Sequence, residues 1–283
     1  MLVQQRLIAR VRSVCAGDGR LVAALMYGSF AAGTADAHSD VEFWLFFRPD
    51  RHGEIDPARW CAQIAALRHV VTNEFGTVVA FFPGLVRGEF HFASADDIGS
   101  VRAWAARGAP IDRMVVLDRD GTLRSALEAL PERATAPASS ADVLAVCGRF
   151  ANWLVLAHQV AGRGETLRAW DALGHVHRHL LWIVRLVEGE TTHWLTPSRG
   201  AEVELSVEAL AVLRETTAPA DTDGLRAALV AAWRHGRRCW IELAQRHGAS
   251  VPHALFADLD TALRPDAGAG APPVTPLSPE LAS

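Results

Sequence analysis

The chain has 283 residues, 50% of them hydrophobic, and a formal net charge of −4. That apolar content excludes disorder throughout, and the mild acidity argues against a general nucleic-acid binder, which needs a basic face to neutralise phosphates. The four cysteines, Cys15, Cys61, Cys147 and Cys239, are scattered without a CxxC pair, which predicts reduced thiols and no structural disulfide in a soluble, cytoplasmic protein. No basic-then-apolar leader opens the sequence, and charged residues interrupt the longer apolar runs, so no membrane partner is expected.

Apolar residues at helical spacing from Val3 to Val14, with Arg6, Arg10 and Arg12 on the outer side, predict an amphipathic first helix. Leu21 to Tyr27 reads as a strand, Gly28-Ser29 as a turn and Val41 to Phe47 as a second strand. A polar turn region from Asp50 to Pro57 precedes a predicted helix over Ala58 to His69. Val78 to Phe82 and Glu89 to Phe92 read as short strands, Asp96 to Ala106 as a helix, and Met114 to Leu117 as a strand closed by the turn Asp118-Arg119-Asp120-Gly121. Strands interleaved with helices predict an α/β domain with a mixed sheet over residues 1–133. Pro, Ala, Ser and Thr then gather between Pro131 and Ser140 as a linker. Beyond it the helical period dominates: Asp142 to Gly162, Glu165 to Glu188, Ser206 to Thr216 and Asp223 to Arg246, with Ser206 and Asp223 as N-caps, predict an all-α helical bundle over 141–263. Residues 264–283, rich in Pro, Ala and Gly without a periodic apolar face, are expected to form a disordered tail.

Chemistry concentrates around Met26-Tyr27-Gly28-Ser29-Phe30 and the strand that begins Ser39-Asp40-Val41-Glu42-Phe43. Side chains at i and i+2 of a strand stand on one face, roughly 6–7 Å apart, so Asp40 and Glu42 face the same way while Val41 and Phe43 enter the core. Paired hard oxygen ligands suit Mg²⁺, which shares its coordination with substrate phosphates. Gly28 lets the backbone approach those phosphates closely, and Ser29 adds a hydroxyl. Each dipeptide alone reads as an ordinary turn or strand edge; it is their succession, with apolar runs behind both, that suggests a site.

This combination resembles the signature of the nucleotidyltransferase superfamily, which includes the polymerase-beta type and the antibiotic-modifying enzymes. Leu2-Val3-Gln4-Gln5 to Ile8-Ala9, the Gly28-Ser29 turn, Ser39 to Phe43, Asn73-Glu74-Phe75-Gly76 and Arg87-Gly88-Glu89-Phe90-His91-Phe92 are similar to the B-type lincosamide nucleotidyltransferases, and a thinner likeness runs to about Ser206. The resemblance implies a polymerase-beta-like α/β domain followed by a helical bundle. It also implies ATP or another nucleoside triphosphate held by Gly28, Ser29 and Ser39, Mg²⁺ bound by Asp40, Glu42 and Glu89, and transfer of AMP to a lincosamide hydroxyl. A homodimer is compatible with it.

In Arg87 to Phe92 polar and aromatic residues alternate, so Glu89 and His91 share one face and Phe90 and Phe92 the other. If this strand lies beside the Asp40 strand, Glu89 reaches the metal site and can accept the proton of an attacking hydroxyl; the plainer alternative is an exposed edge-strand carboxylate. His91 and Phe92 are candidates for the acceptor wall. On a helix only His175 and His179 of the 175/177/179 trio share a face, and no HExxH glutamate accompanies them, so zinc catalysis is not expected. The cation that should face the triphosphate is not identified; Arg163 and Arg168, beside Gly164, read equally as solvated helix-end charges. Two rival functions stand beside the main one. The first is the same chemistry on another hydroxylated drug such as an aminoglycoside, which needs convergent carboxylates in its cleft. The second is a non-catalytic, antitoxin-like binder, against which the three carboxylates argue.

Overall fold

The computed structural model describes residues 1–264, so most of the expected tail over 264–283 lies outside the described residues. Backbone contacts divide the chain into a first unit, Met1–Thr135, and a second that begins at Ala136.

The first unit is built on a six-stranded mixed sheet in the order β3-β4-β5-β2-β1-β6, formed by Leu21–Met26 (β1), Val41–Phe47 (β2), His69–Thr72 (β3), Val78–Phe82 (β4), Val86–Ser94 (β5) and Val115–Asp118 (β6). Only the β2–β5 pair is parallel; every other neighbouring pair is antiparallel. The first helix, Val3–Gly17, buries Leu7, Ile8, Val11 and Cys15. Phe43 and Phe90 stack from adjacent strands, and Trp60 meets Phe90 and Phe92 edge-on, forming the core beneath one face of the sheet.

The predicted helix over Ala58 to His69 is shortened to Pro57–Cys61, capped by Asp56, whose carboxylate accepts from the Arg59 N–H at 3.1 Å. Its last residue is instead the first of β3. Val70, Val71 and Thr72 are β-branched and pair with β4, because Asn73 closes a hairpin: its side-chain oxygen accepts from the Phe75 and Thr77 N–H groups, and Gly76 supplies the positive φ of 79°. Tertiary pairing overrides the helical pattern there. Gly28-Ser29 opens a short helix, Gly28–Ala32, rather than a simple turn; Ala95–Ala103 is 3-10 rather than α; and a further helix, Thr122–Glu128, buries Leu123, Ala126 and Leu127. Asp118 and Asp120 cap that last helix through the backbone N–H groups of Leu123, Arg124 and Thr122.

The second unit is helical: Ser140–Gly162, Thr166–Glu188, Ala201–Glu204, Val207–Glu215, Thr222–Arg246 and His253–Ala262. Ser206 caps as expected, but the cap of Thr222–Arg246 is Asp221, which accepts from the Gly224 N–H at 2.7 Å; Asp223 already lies inside the first turn. Ser140–Gly162 is long and apolar enough to span a bilayer by length and composition, yet its Val143, Val146, Phe150, Leu154 and Val160 are buried in the core of this unit. His175 stacks on Trp153, His177 Nδ1 meets Thr216 Oγ1 at 2.8 Å, and His179 Nδ1 lies 2.8 Å from the His175 carbonyl, so the three histidines are structural.

Arg185 is wholly buried in this unit. Its guanidinium donates to the carbonyls of Pro197, Glu190 and Arg199 and to the Glu204 carboxylate, all at 2.7–2.8 Å. Burial pushes the Glu204 carboxyl up, but contacts from Arg185 and His193 outweigh it and hold the group below its usual range. One side chain thereby organises the segment 190–204. Arg185→Ala should destabilise the protein by about 3 kcal/mol or more, since it leaves several acceptors unserved. Arg185→Lys should fall between, because an ammonium cannot reproduce the planar fork. Urea unfolding followed by circular dichroism checks both, and equal stability of all three proteins would contradict the role.

Candidate active site

The parallel β2–β5 register aligns Val41 with Gly88, Glu42 with Glu89 and Trp44 with His91. Alternation along each strand puts Asp40, Glu42 and Trp44 on the face that carries Arg87, Glu89 and His91, with parallel neighbours roughly 4.8 Å apart. Phe43, Phe90 and Phe92 project from the other face. Phe92 stacks on Phe47 with Trp60 against its edge, so the structure does not bring it to the carboxylates as an acceptor wall would require.

Gly28 joins this face from the end of β1. The Tyr27 N–H donates to the Glu42 carbonyl at 3.0 Å, and the chain then turns through a φ of +71° at Gly28. A Cβ on Gly28 would run into the Glu42 carboxylate. The Glu42 carboxylate therefore rests directly on the bare Cα, which interlocks the Gly-Ser motif with the acidic strand. Ser29 is buried, and its carbonyl accepts from the N–H groups of Gly33 and Thr34. Ser39 is committed locally: its hydroxyl donates to Asp36 Oδ1 and accepts from the Asp36 N–H. The buried Gln4 side chain donates to the carbonyls of Ala37 and Ser39, tying the loop that delivers Asp40 to the first helix.

Three further side chains complete the group. Arg87 spans two acids, donating through Nη1 to Asp40 Oδ2 and through Nη2 to Glu89 Oε1. Tyr27 donates its hydroxyl to Glu89 Oε2 at 3.4 Å and lies 3.1 Å from His91 Nε2. Burial, with the negative charges of Glu42 and Glu89 behind it, pushes the Tyr27 phenol far up, so it stays protonated as a donor. His91 stacks flat on Trp44, ring centres 4.0 Å apart. Burial lowers its pKa against the opposing pull of Glu89, which favours the neutral ring. Arg87 was legible: strand alternation alone places it with Glu89. Trp44 follows from the same alternation, whereas the contacts of Tyr27 with Glu89 and of Gln4 with the Asp40 loop span distant parts of the chain and carry no local signal.

The donor chemistry fits a divalent cation, since three carboxylates share one face and two of them already share a positive charge. No group of three His, Cys, Asp or Glu side chains stands ready at ligand spacing among the described residues, and Arg87 is the reason two of these acids are engaged elsewhere.

Residues 140–262 match the family model described as lincosamide nucleotidyltransferase-like, C-terminal domain. The helical unit is similar to that family. The match supports a nucleotidyltransferase of the antibiotic-modifying type, and the mixed sheet followed by a helical unit is the architecture that the motif resemblance implies. Among solved structures, an aminoglycoside 6-adenyltransferase from Bacillus subtilis aligns at 11% identity over 92% of this chain and 97% of its own, with a TM-score of 0.43. A nucleotidyltransferase-like protein from Exiguobacterium sibiricum 255-15 aligns at 13% identity over 92% and 88%, with a TM-score of 0.31. Comparison with curated proteins gives no match.

The Gly28–Glu42 packing has a direct test. Gly28→Ala should destabilise through two separable effects, a left-handed backbone that costs about 1–2 kcal/mol and overpacking against the carboxylate that costs about 1–3 kcal/mol. In a Glu42→Ala background only the backbone effect should remain. Thermal unfolding of the four proteins closes the cycle, and an additive result would show that the two residues do not touch.

Proposed function

We propose that the protein is a Mg²⁺-dependent nucleotidyltransferase that moves AMP from ATP to a hydroxyl of a lincosamide antibiotic, releasing pyrophosphate in the cytoplasm. The observation that carries the reading is the convergence of Asp40, Glu42 and Glu89 on one sheet face against Gly28. The lincosamide family match of the helical unit supports the acceptor class.

Asp40 and Glu42, with Glu89 beside them, would hold the cation, which supplies charge neutralisation for the triphosphate and its leaving group. The remaining work belongs to the chain. At Gly28, where β1 gives way to the Gly28–Ala32 helix, the lack of a side chain and the positive φ would let phosphate oxygens approach the backbone. Glu89 accepts the proton of the acceptor hydroxyl as its oxygen bonds to the α-phosphorus and the bond to pyrophosphate breaks. Tyr27 orients Glu89 from its Oε2 side and is itself set by His91. The flat Trp44–His91 pair lies one pleat beyond the acids and suits the body of an acceptor that is only partly polar.

The deciding assay incubates the purified protein with ATP, Mg²⁺ and a panel of lincosamides and aminoglycosides and looks for the mass of an added AMP. A product with a lincosamide is expected; a product only with an aminoglycoside would keep the chemistry and reject the acceptor. No product at all would leave the non-catalytic reading standing.

Three substitutions refine the roles. Asp40→Asn or Glu42→Gln should abolish transfer while the fold persists, because each removes a charge that balances the cation and phosphates. Near-normal turnover in either would remove these residues from the site. Glu89→Gln should lower kcat by roughly 10²–10⁴-fold, with a deficit that shrinks as pH rises and the acceptor ionises more readily. Loss of ATP binding in that variant would instead make Glu89 chiefly a cation ligand.

A further inference from the structure

Arg87 stands where positive charge is needed before any cation or nucleotide arrives. Its two terminal nitrogens go to different acids, Nη1 to Asp40 Oδ2 and Nη2 to Glu89 Oε1, so the guanidinium spans the gap between strands rather than gripping one carboxylate. Without it, like charges on adjacent strand ends would repel. The Arg87 side chain is 36% exposed, against 32% for Asp40 and 21% for Glu89. It can therefore swing toward solvent without dragging core packing with it, whereas the carboxylates stay anchored by the sheet.

We infer that Arg87 is a built-in counter-ion which a divalent cation must displace from Asp40 and Glu89, and that this displacement couples cation binding to nucleotide binding. The inference rests on the proposed reading that these acids hold the cation of a nucleotidyl transfer. A cation arriving alone must break two charge-assisted contacts and leaves the guanidinium with only water. A cation arriving with a triphosphate brings anionic oxygens, and a guanidinium is well matched to phosphate in the bidentate manner. The freed Arg87 then faces the group on which negative charge grows as pyrophosphate leaves. Each ligand thus strengthens the other, and by linkage the effect is reciprocal.

The experiment is a calorimetric titration with Mn²⁺ alone, and again in the presence of a non-hydrolysable ATP analogue. It compares wild type, Arg87→Gln, Arg87→Lys and Asp40→Asn, with melting temperatures taken to confirm that each is folded. Arg87→Gln should bind the cation alone about tenfold or more tightly than wild type, since neither charge-assisted contact then has to be broken and each is worth at least that factor. The analogue should then tighten cation binding far less than it does in wild type. Arg87→Lys keeps the charge without the fork and should recover part of that coupling. Cation affinity in Arg87→Gln equal to or weaker than wild type, with Asp40→Asn still abolishing binding, would overturn the counter-ion role and leave the metal reading intact. Cation binding that is absent, or indifferent to Asp40→Asn, would overturn both.

Discussion

The site depends on the one parallel pairing in the sheet, β2 with β5. Between them the chain makes the β3–β4 hairpin, so β5 runs antiparallel to β4 and enters beside β2 in the same direction. In that register Glu42 faces Glu89 and Phe43 faces Phe90. A slip of one residue would exchange the two sets, driving carboxylates into the core and phenylalanines to the open face. Burying each aromatic ring contributes about 1.5–3 kcal/mol, and Phe43, Phe90 and Trp60 are all buried. The apolar face therefore fixes the position of the acids, although none of its residues touches them.

Charge and sterics then refine what the register sets up. The Glu42 carboxylate lies over a residue that has no side chain. Asp40 and Glu89 are held by charge, through a single guanidinium. An ion pair at a partly exposed position weakens as soon as another cation competes. Asp40 and Glu89 are thereby exchangeable.

The parts of this arrangement that were legible in the sequence are those with a local period. Asp40 with Glu42, and Glu89 with His91, follow from strand alternation, and the long helices of the second unit follow from their apolar stripes. The adjacency of β2 and β5 is not local: the strands are separated by a hairpin whose first strand, His69–Thr72, was hidden inside a helical pattern. Asp221 rather than Asp223 caps the long helix because the two acids are both good caps and only the backbone geometry distinguishes them. Arg87 is a different case. Its face was readable, but the adjacency of β5 and β2 that brings its charge to Asp40 is not local, and Arg163 and Arg168 read instead as the candidates for a cation facing the triphosphate. Arg185 was hidden for the opposite reason, since a charged residue within a helix ordinarily faces water.

Along both strands the chemistry changes within a single pleat. Asp40 and Glu42 give way to Trp44 on β2, and Arg87 and Glu89 to His91 on β5, where the two rings stack within 5° of parallel. Trp104 approaches the same indole, with ring centres 5.8 Å apart, so the aromatic surface is extended from outside the sheet. A bound molecule lying along the strands meets charge at one end and flat, weakly polar surface at the other, with Tyr27 and Glu89 at the boundary. On the proposed reading, discrimination among acceptors falls to shape and stacking at Trp44 and His91. The acids at the other end are occupied in balancing cations. They are poorly placed to recruit a polycationic drug, whose amines would compete for the carboxylates that Arg87 already engages.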